Sequence, residues 1–270
     1  MRRGAAGGLA VLPMHDRAEL RAETDAFWAA LREAIRDRGI DAPEAIDRRT
    51  HPRKAWAAPE LVLGQTCGLP YVRALRGRVA LLGAPAHAVE GCEGGHYVSE
   101  IVVGPDSRAR SLADLRGAHP AINARDSQSG YAALMHAAAP HAREGAFFGP
   151  PVMTGAHAAS VEAVATGRAD VAAIDAVSFA LARRYDAAAK TVRVIARTEP
   201  TPGLPFVTGR QRKARAIADA VREAIAALPK ATAEALLLVG FVRHADAAYD
   251  VIRDRLAAAE RAHTLPSATG

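Results

Sequence analysis

Short apolar segments alternate with helix-patterned ones along almost the entire chain, and this alternation restricts the fold more than any other feature. Residues 9–12, 60–64, 79–82, 118–123, 171–175 and 192–197 read as short buried strands. Between them, residues 18–38 carry Leu20, Phe27, Leu31 and Ile35 at helical spacing and stop at Gly39. Residues 71–75, 158–166 and 177–185 read as further helices, and 111–117 as a compact capped one. Residues 97–103 form a longer strand crossing between layers, and the tail from Gln211 reads as largely helical with breaks at Pro229 and Gly240. Strands alternating with helices predict an α/β fold with mostly parallel sheets. In such sheets ligands sit beyond the carboxyl ends of the strands, which directs attention to the strand-to-helix loops.

Composition narrows the function classes. A chain of 270 residues suffices for one large domain or two modest ones. The net charge of +6 comes from arginines scattered among Asp and Glu, with no basic block and no interleaved aromatics. That pattern argues against nucleic acid as the partner, while still favouring the approach of an anionic ligand. No apolar run approaches the ~20 residues that span a bilayer. Residues 1–8 carry no apolar export segment, so the expected location is periplasmic if a leader precedes this start and cytoplasmic otherwise. Cys67 and Cys92 both neighbour glycines, and spacing leaves a disulfide and two thiols equally open.

The loop with the clearest chemistry is Asn123-Ala-Arg-Asp-Ser-Gln-Ser-Gly-Tyr131, which leaves a strand and opens a helix. Hydroxyls, exposed N–H groups and the positive end of a helix dipole together make an anion site. Met14-His15, Gln65-Thr66, His157 and Asp175 stand at other strand ends. His157 can donate to an anion, and Asp175 is suited to accept from a protonated ligand oxygen. Neither Gly-x-x-x-x-Gly-Lys-Ser/Thr nor Gly-x-Gly-x-x-Gly occurs, so a nucleotide lacks its usual cradle. No zinc spacing and no Gly-x-Ser-x-Gly elbow is present, so no metal, no cofactor and binding without catalysis are expected.

Gln65-Thr-Cys-Gly, Gly91-Cys-Glu-Gly94 with Tyr97, Asp126-Ser-Gln-Ser-Gly130, Gly155-Ala-His-Ala-Ala-Ser160 and Gly167-Arg-Ala-Asp-Val-Ala-Ala-Ile-Asp175 occur in that order. With these motifs the chain resembles the phosphate/phosphite/phosphonate substrate-binding proteins of ABC transporters, from about residue 9 to 208. The resemblance implies a two-lobed α/β fold of the type II periplasmic-binding-protein kind, with the ligand cleft between the lobes. It divides the chain into a first lobe of residues 1–101 plus 198–270, including the helical tail, and a second of 102–197. Segments 97–101 and 198–204 would be the hinge strands. It further implies that Ser127, Gln128 and Ser129 hold phosphoryl oxygens, that His157 donates to the same group, and that Asp175 accepts from a protonated oxygen or an amino substituent. Gln65, Thr66 and Tyr97 would complete the cage. The implied partners are a small phosphorus oxyanion and a membrane permease; the alternative is a cytoplasmic sensor or enzyme of the same fold that acts on a phosphorylated small molecule.

Overall fold

The computed structural model describes residues 8–267, so residues 1–8, on which the expected location turns, lie almost wholly outside the described residues. The strands are β1 (Leu9–Val11), β2 (Leu61–Gln65), β3 (Val79–His87), β4 (His96–Tyr97), β5 (Ser99–Val103) and β6 (Pro120–Ile122). They continue as β7 (Val152–Met153), β8 (Val171–Asp175), β9 (Arg193–Arg197), β10 (Thr201–Pro202), β11 (Phe206–Gly209) and β12 (Leu238–Val242). The chain divides into two compact units. One comprises Met1–Ala88, Cys92–His96 and Pro202–Ala248; the other comprises Val89–Gly91, Tyr97–Thr201 and Tyr249–Gly270.

The first unit holds a five-stranded sheet in the order β1-β2-β11-β3-β12. Helices Arg21–Arg36 and Ala214–Ala226 pack together beside it. Their apolar stripes (Phe27, Leu31 and Ile35 on one; Ile217, Val221 and Ile225 on the other) are buried as the helical spacing requires. The second unit holds a sheet in the order β7-β6-β8-β5-β9. Its core is built from Val102, Ala121, Ala172 and Ile174 on the strands with Val161, Val164 and Phe179 from the helices. Alanine is frequent there because a side chain of one methyl lets helix and sheet approach closely.

Three sequence expectations need correction. The sheets are mixed rather than mostly parallel: β1 pairs parallel with β2, and β6 with β7 and β8. β11 and β5, by contrast, run antiparallel to both their neighbours. The reason lies in where these strands enter. β5 begins with Ser99 opposite Asp175, the last residue of β8, and β11 begins with Phe206 opposite Gln65, the last of β2. A strand that enters at the carboxyl edge of its neighbours can only run against them.

The tail is largely helical as expected, but β12 occupies Leu238–Val242 as the edge strand beside β3. Gly240 lies inside this strand opposite Ala86 rather than breaking a helix. Finally, the segment from Tyr249 belongs to the second unit, not the first. Its helix Asp250–Ala262 buries Ile252, Leu256 and Ala259 and packs on the helix 133–138. Cys67 and Cys92 are thiols, not a disulfide.

Candidate functional site

In the second unit β6, β7 and β8 all end at one edge of the sheet, and each is followed by a helix start. β6 leads through a turn, closed by Ser127 N–H donating to the Ala124 carbonyl at 3.0 Å, into the helix that begins at Gln128. The first turn of this helix, Gln128–Ala132, is π-wound, with the Ala132 N–H reaching back to the Ser127 carbonyl at 3.0 Å. Such widened turns recur at functional sites. Ser127 caps it, its Oγ accepting from the Gly130 N–H at 3.0 Å.

The remaining polar groups gather around that turn. Ser129 Oγ lies 2.8 Å from His157 Nε2 and 3.5 Å from Ser127 Oγ. His157 is itself the first residue of the helix after β7. Ser99, across from Asp175 at the start of β5, donates from its hydroxyl to the Ser129 carbonyl at 3.2 Å. Asp175 caps the helix Ala176–Tyr185, with Oδ1 accepting from the Ser178 N–H at 2.7 Å. Ser99, Ser127, Ser129 and Asp175 are all buried. Gly130 is required by contact: a Cβ there would lie 1.9 Å from Asn123 Oδ1 and 3.2 Å from the His157 ring.

Gln128 is on a different face of the same helix. With Ala132, Ala133 and His136 it lines a cavity of about 10 Å³, room for one water, closed by Thr198, Glu199, Ile252 and Arg255. Glu199 is held there by Arg255 Nη2 at 2.6 Å. Tyr131, on the next position but two, donates its hydroxyl to Glu260 Oε1 at 3.3 Å. Burial pushes the Tyr131 phenol above its usual range, and the Glu260 charge adds to the effect, so this hydroxyl stays a neutral donor. Tyr97 is buried at the end of β4.

The first unit has its own strand-end residues. Gln65 closes β2, and its carbonyl accepts from Trp56 Nε1 at 2.9 Å. Thr66 follows, fully buried, with its N–H on the Pro205 carbonyl at 3.0 Å. A helix opens at Gly68 and, like the one at Gln128, continues with a π-wound turn, Tyr71–Leu75. After β1, His15 packs edge-on against His87, the ring centroids 5.2 Å apart. Ser99 and His87 escape a reading of the sequence: Ser99 is one polar residue in an apolar strand, and His87 ends a β3 that continues five residues beyond the segment its apolar run marks.

Two α/β units whose mixed sheets each carry reversed strands, β11 and β12 in the first and β5 in the second, define the type II periplasmic-binding-protein fold. The fold is shared with a binding protein component of an ABC phosphonate transporter from Pseudomonas aeruginosa, at TM-score 0.73 and 16% identity over 95% of this chain and 87% of that one. PhnD1 from Prochlorococcus marinus, solved in complex with methylphosphonate, is similar at TM-score 0.71 and 13% identity, over 92% and 95% of the two chains. XAC2383 from Xanthomonas citri, bound to chloride ion, is similar at TM-score 0.64 and 18% identity, over 91% and 95%. The family is settled by sequence: residues 9–249 match the model of the phosphonate periplasmic substrate-binding proteins of ABC transporters, and the chain belongs to that family. No curated protein sequence matches it.

Proposed function

We propose that this substrate-binding protein holds a small phosphorus oxyanion (phosphate, phosphite or a phosphonate) and delivers it, outside the cytoplasmic membrane, to an ABC permease without altering it. The observation that carries the reading is the cluster of Ser127, Ser129 and His157 around a widened helix start. The first N–H groups of a helix are suited to receive an anion, and the helix dipole favours negative charge there. Ser129 donates its hydroxyl proton to a ligand oxygen while its own oxygen accepts from His157 Nε2–H. His157 therefore acts through Ser129, and the pair forms a donor chain whose members polarise one another. Gln128 contributes its backbone rather than its side chain. Asp175, an acceptor with room for several hydrogen bonds, takes a ligand O–H or ammonium.

Isothermal titration with phosphate, phosphite, methylphosphonate, aminoethylphosphonate and sulfate tests this. Ser129→Ala is expected to weaken binding of the preferred phosphorus anion by at least about tenfold, because it removes a donor to a desolvated charge. Unchanged affinity in Ser129→Ala would refute the site, and binding of none of the five would refute the ligand class.

A further inference from the structure

The end of the second sheet opposite the serine cluster carries a feature that oxyanion capture does not use. β5 runs from Ser99, beside Asp175, to Val103, beside Arg193, so the two ends are separated by about 13 Å at ~3.3 Å per residue. Beyond Val103 the chain forms a loop whose backbone is pinned at several points. Ser107 N–H donates to the Gly104 carbonyl at 3.2 Å, and Ala109 N–H to Ser107 Oγ at 3.3 Å. The N–H groups of Arg110 and Ser111 both donate to Asp114 Oδ2 at 2.9 Å. Arg193 Nη2 then donates to the carbonyls of Ser107 and Ala109, at 2.8 and 2.9 Å.

The result is a rigid segment presenting Arg108 and Arg110 on alternate residues around the Arg193 guanidinium. Ser107, Arg108, Arg110 and Arg193 line an open depression of about 660 Å³ that contains no carboxylate. Among the described residues the guanidinium groups of Arg108 and Arg110 make no ion pair or hydrogen bond, whereas Arg32 and Arg36 share Glu44 and Arg197 meets both Glu90 and Glu100. Three arginines lining one depression with no carboxylate among its lining residues favour a ligand bearing several negative charges.

We propose that this depression is a second anion site, separate from the serine cluster, and that it takes a chain of linked phosphates such as pyrophosphate or triphosphate. Guanidinium groups match phosphate oxygens in pairs, and three of them exceed what a single small oxyanion can satisfy. The depression is also far larger than one phosphate group.

Isothermal titration of the whole protein with inorganic pyrophosphate and triphosphate at low ionic strength tests the assignment, alongside orthophosphate. The double variant Arg108→Ala/Arg110→Ala alters exposed side chains, and an unchanged melting temperature confirms that it folds. It is expected to lose at least about tenfold in triphosphate affinity, since each lost partner is a hydrogen bond to a charged group. Ser129→Ala is expected to bind triphosphate as the unaltered protein does. Absence of triphosphate binding, affinity that survives the double variant, or orthophosphate binding this site as tightly as triphosphate would each overturn the proposal.

Discussion

Gly130 shows how tightly one residue is specified. The space a methyl group would fill is already occupied by the Asn123 side chain and the edge of the His157 ring. Gly130→Ala must displace one or both, and moving His157 breaks its bond to Ser129. The expected outcome is loss of anion binding by more than an order of magnitude, with a stability cost of about 1–3 kcal/mol from overpacking. Titration with the preferred anion and urea unfolding of the same variant check the two parts separately; retained affinity would show that His157 does not need its position. At this scale the sequence was informative for residue types and weak for direction. Ser127, Ser129, His157 and Asp175 stand out because each lies where a strand gives way to a helix, at the cap or in the first turn, which is a local pattern. That Gln128 turns to another face follows from the rotation of the helix against the rest of the unit, which no local pattern contains.

Among elements, β5 carries the clearest conflict between burial and charge. Ser99 faces the serine cluster, so the next residue, Glu100, faces the other side of the sheet, where it is buried beside Arg197 Nε at 3.0 Å. Burial pushes the Glu100 carboxyl above its ordinary value, and the Arg197 charge only partly offsets this. A raised value means that the folded protein holds the proton more tightly than the unfolded chain. Stability from this residue is therefore lost as pH rises from about 4.5 through the raised value. Glu100→Gln removes that dependence, so the variant is expected to gain stability relative to the unaltered protein between pH 4.5 and 7. Urea unfolding of both at the two ends of this range measures it, and a constant difference would contradict the argument. Element types were largely legible from apolar spacing. The direction of β5 and β11 and the existence of β12 were not, because antiparallel insertion depends on where a strand enters its sheet, and a short apolar run looks the same in either direction.

For the whole molecule, the helix Asp250–Ala262 is the element whose place matters most. Arg255 ties the segment at Glu199 and Pro200, Glu260 meets Tyr131, and His263 Nε2 donates to the Met135 carbonyl at 2.8 Å. All three contacts brace the helix that begins at the serine cluster or the chain beside it. Removing the residues after Ala248 is expected to lower the unfolding midpoint of the second unit and the hydrogen-exchange protection of residues 128–138. Ile252 and Leu256 alone bury apolar surface worth roughly 1.5–3 kcal/mol each. Unaltered protection would show that the brace is dispensable. The sequence by itself determined that this segment is helical, that the chain is built of alternating strands and helices, and which loops carry anion-binding residue types. Those properties reside in neighbouring residues and in their periodicity. Which unit the helix joins, how the sheets are ordered, and which hydroxyl meets which imidazole were decided only by the tertiary structure. An apolar stripe specifies that a face must be buried, and the hydrophobic effect that buries it does not distinguish one partner from another.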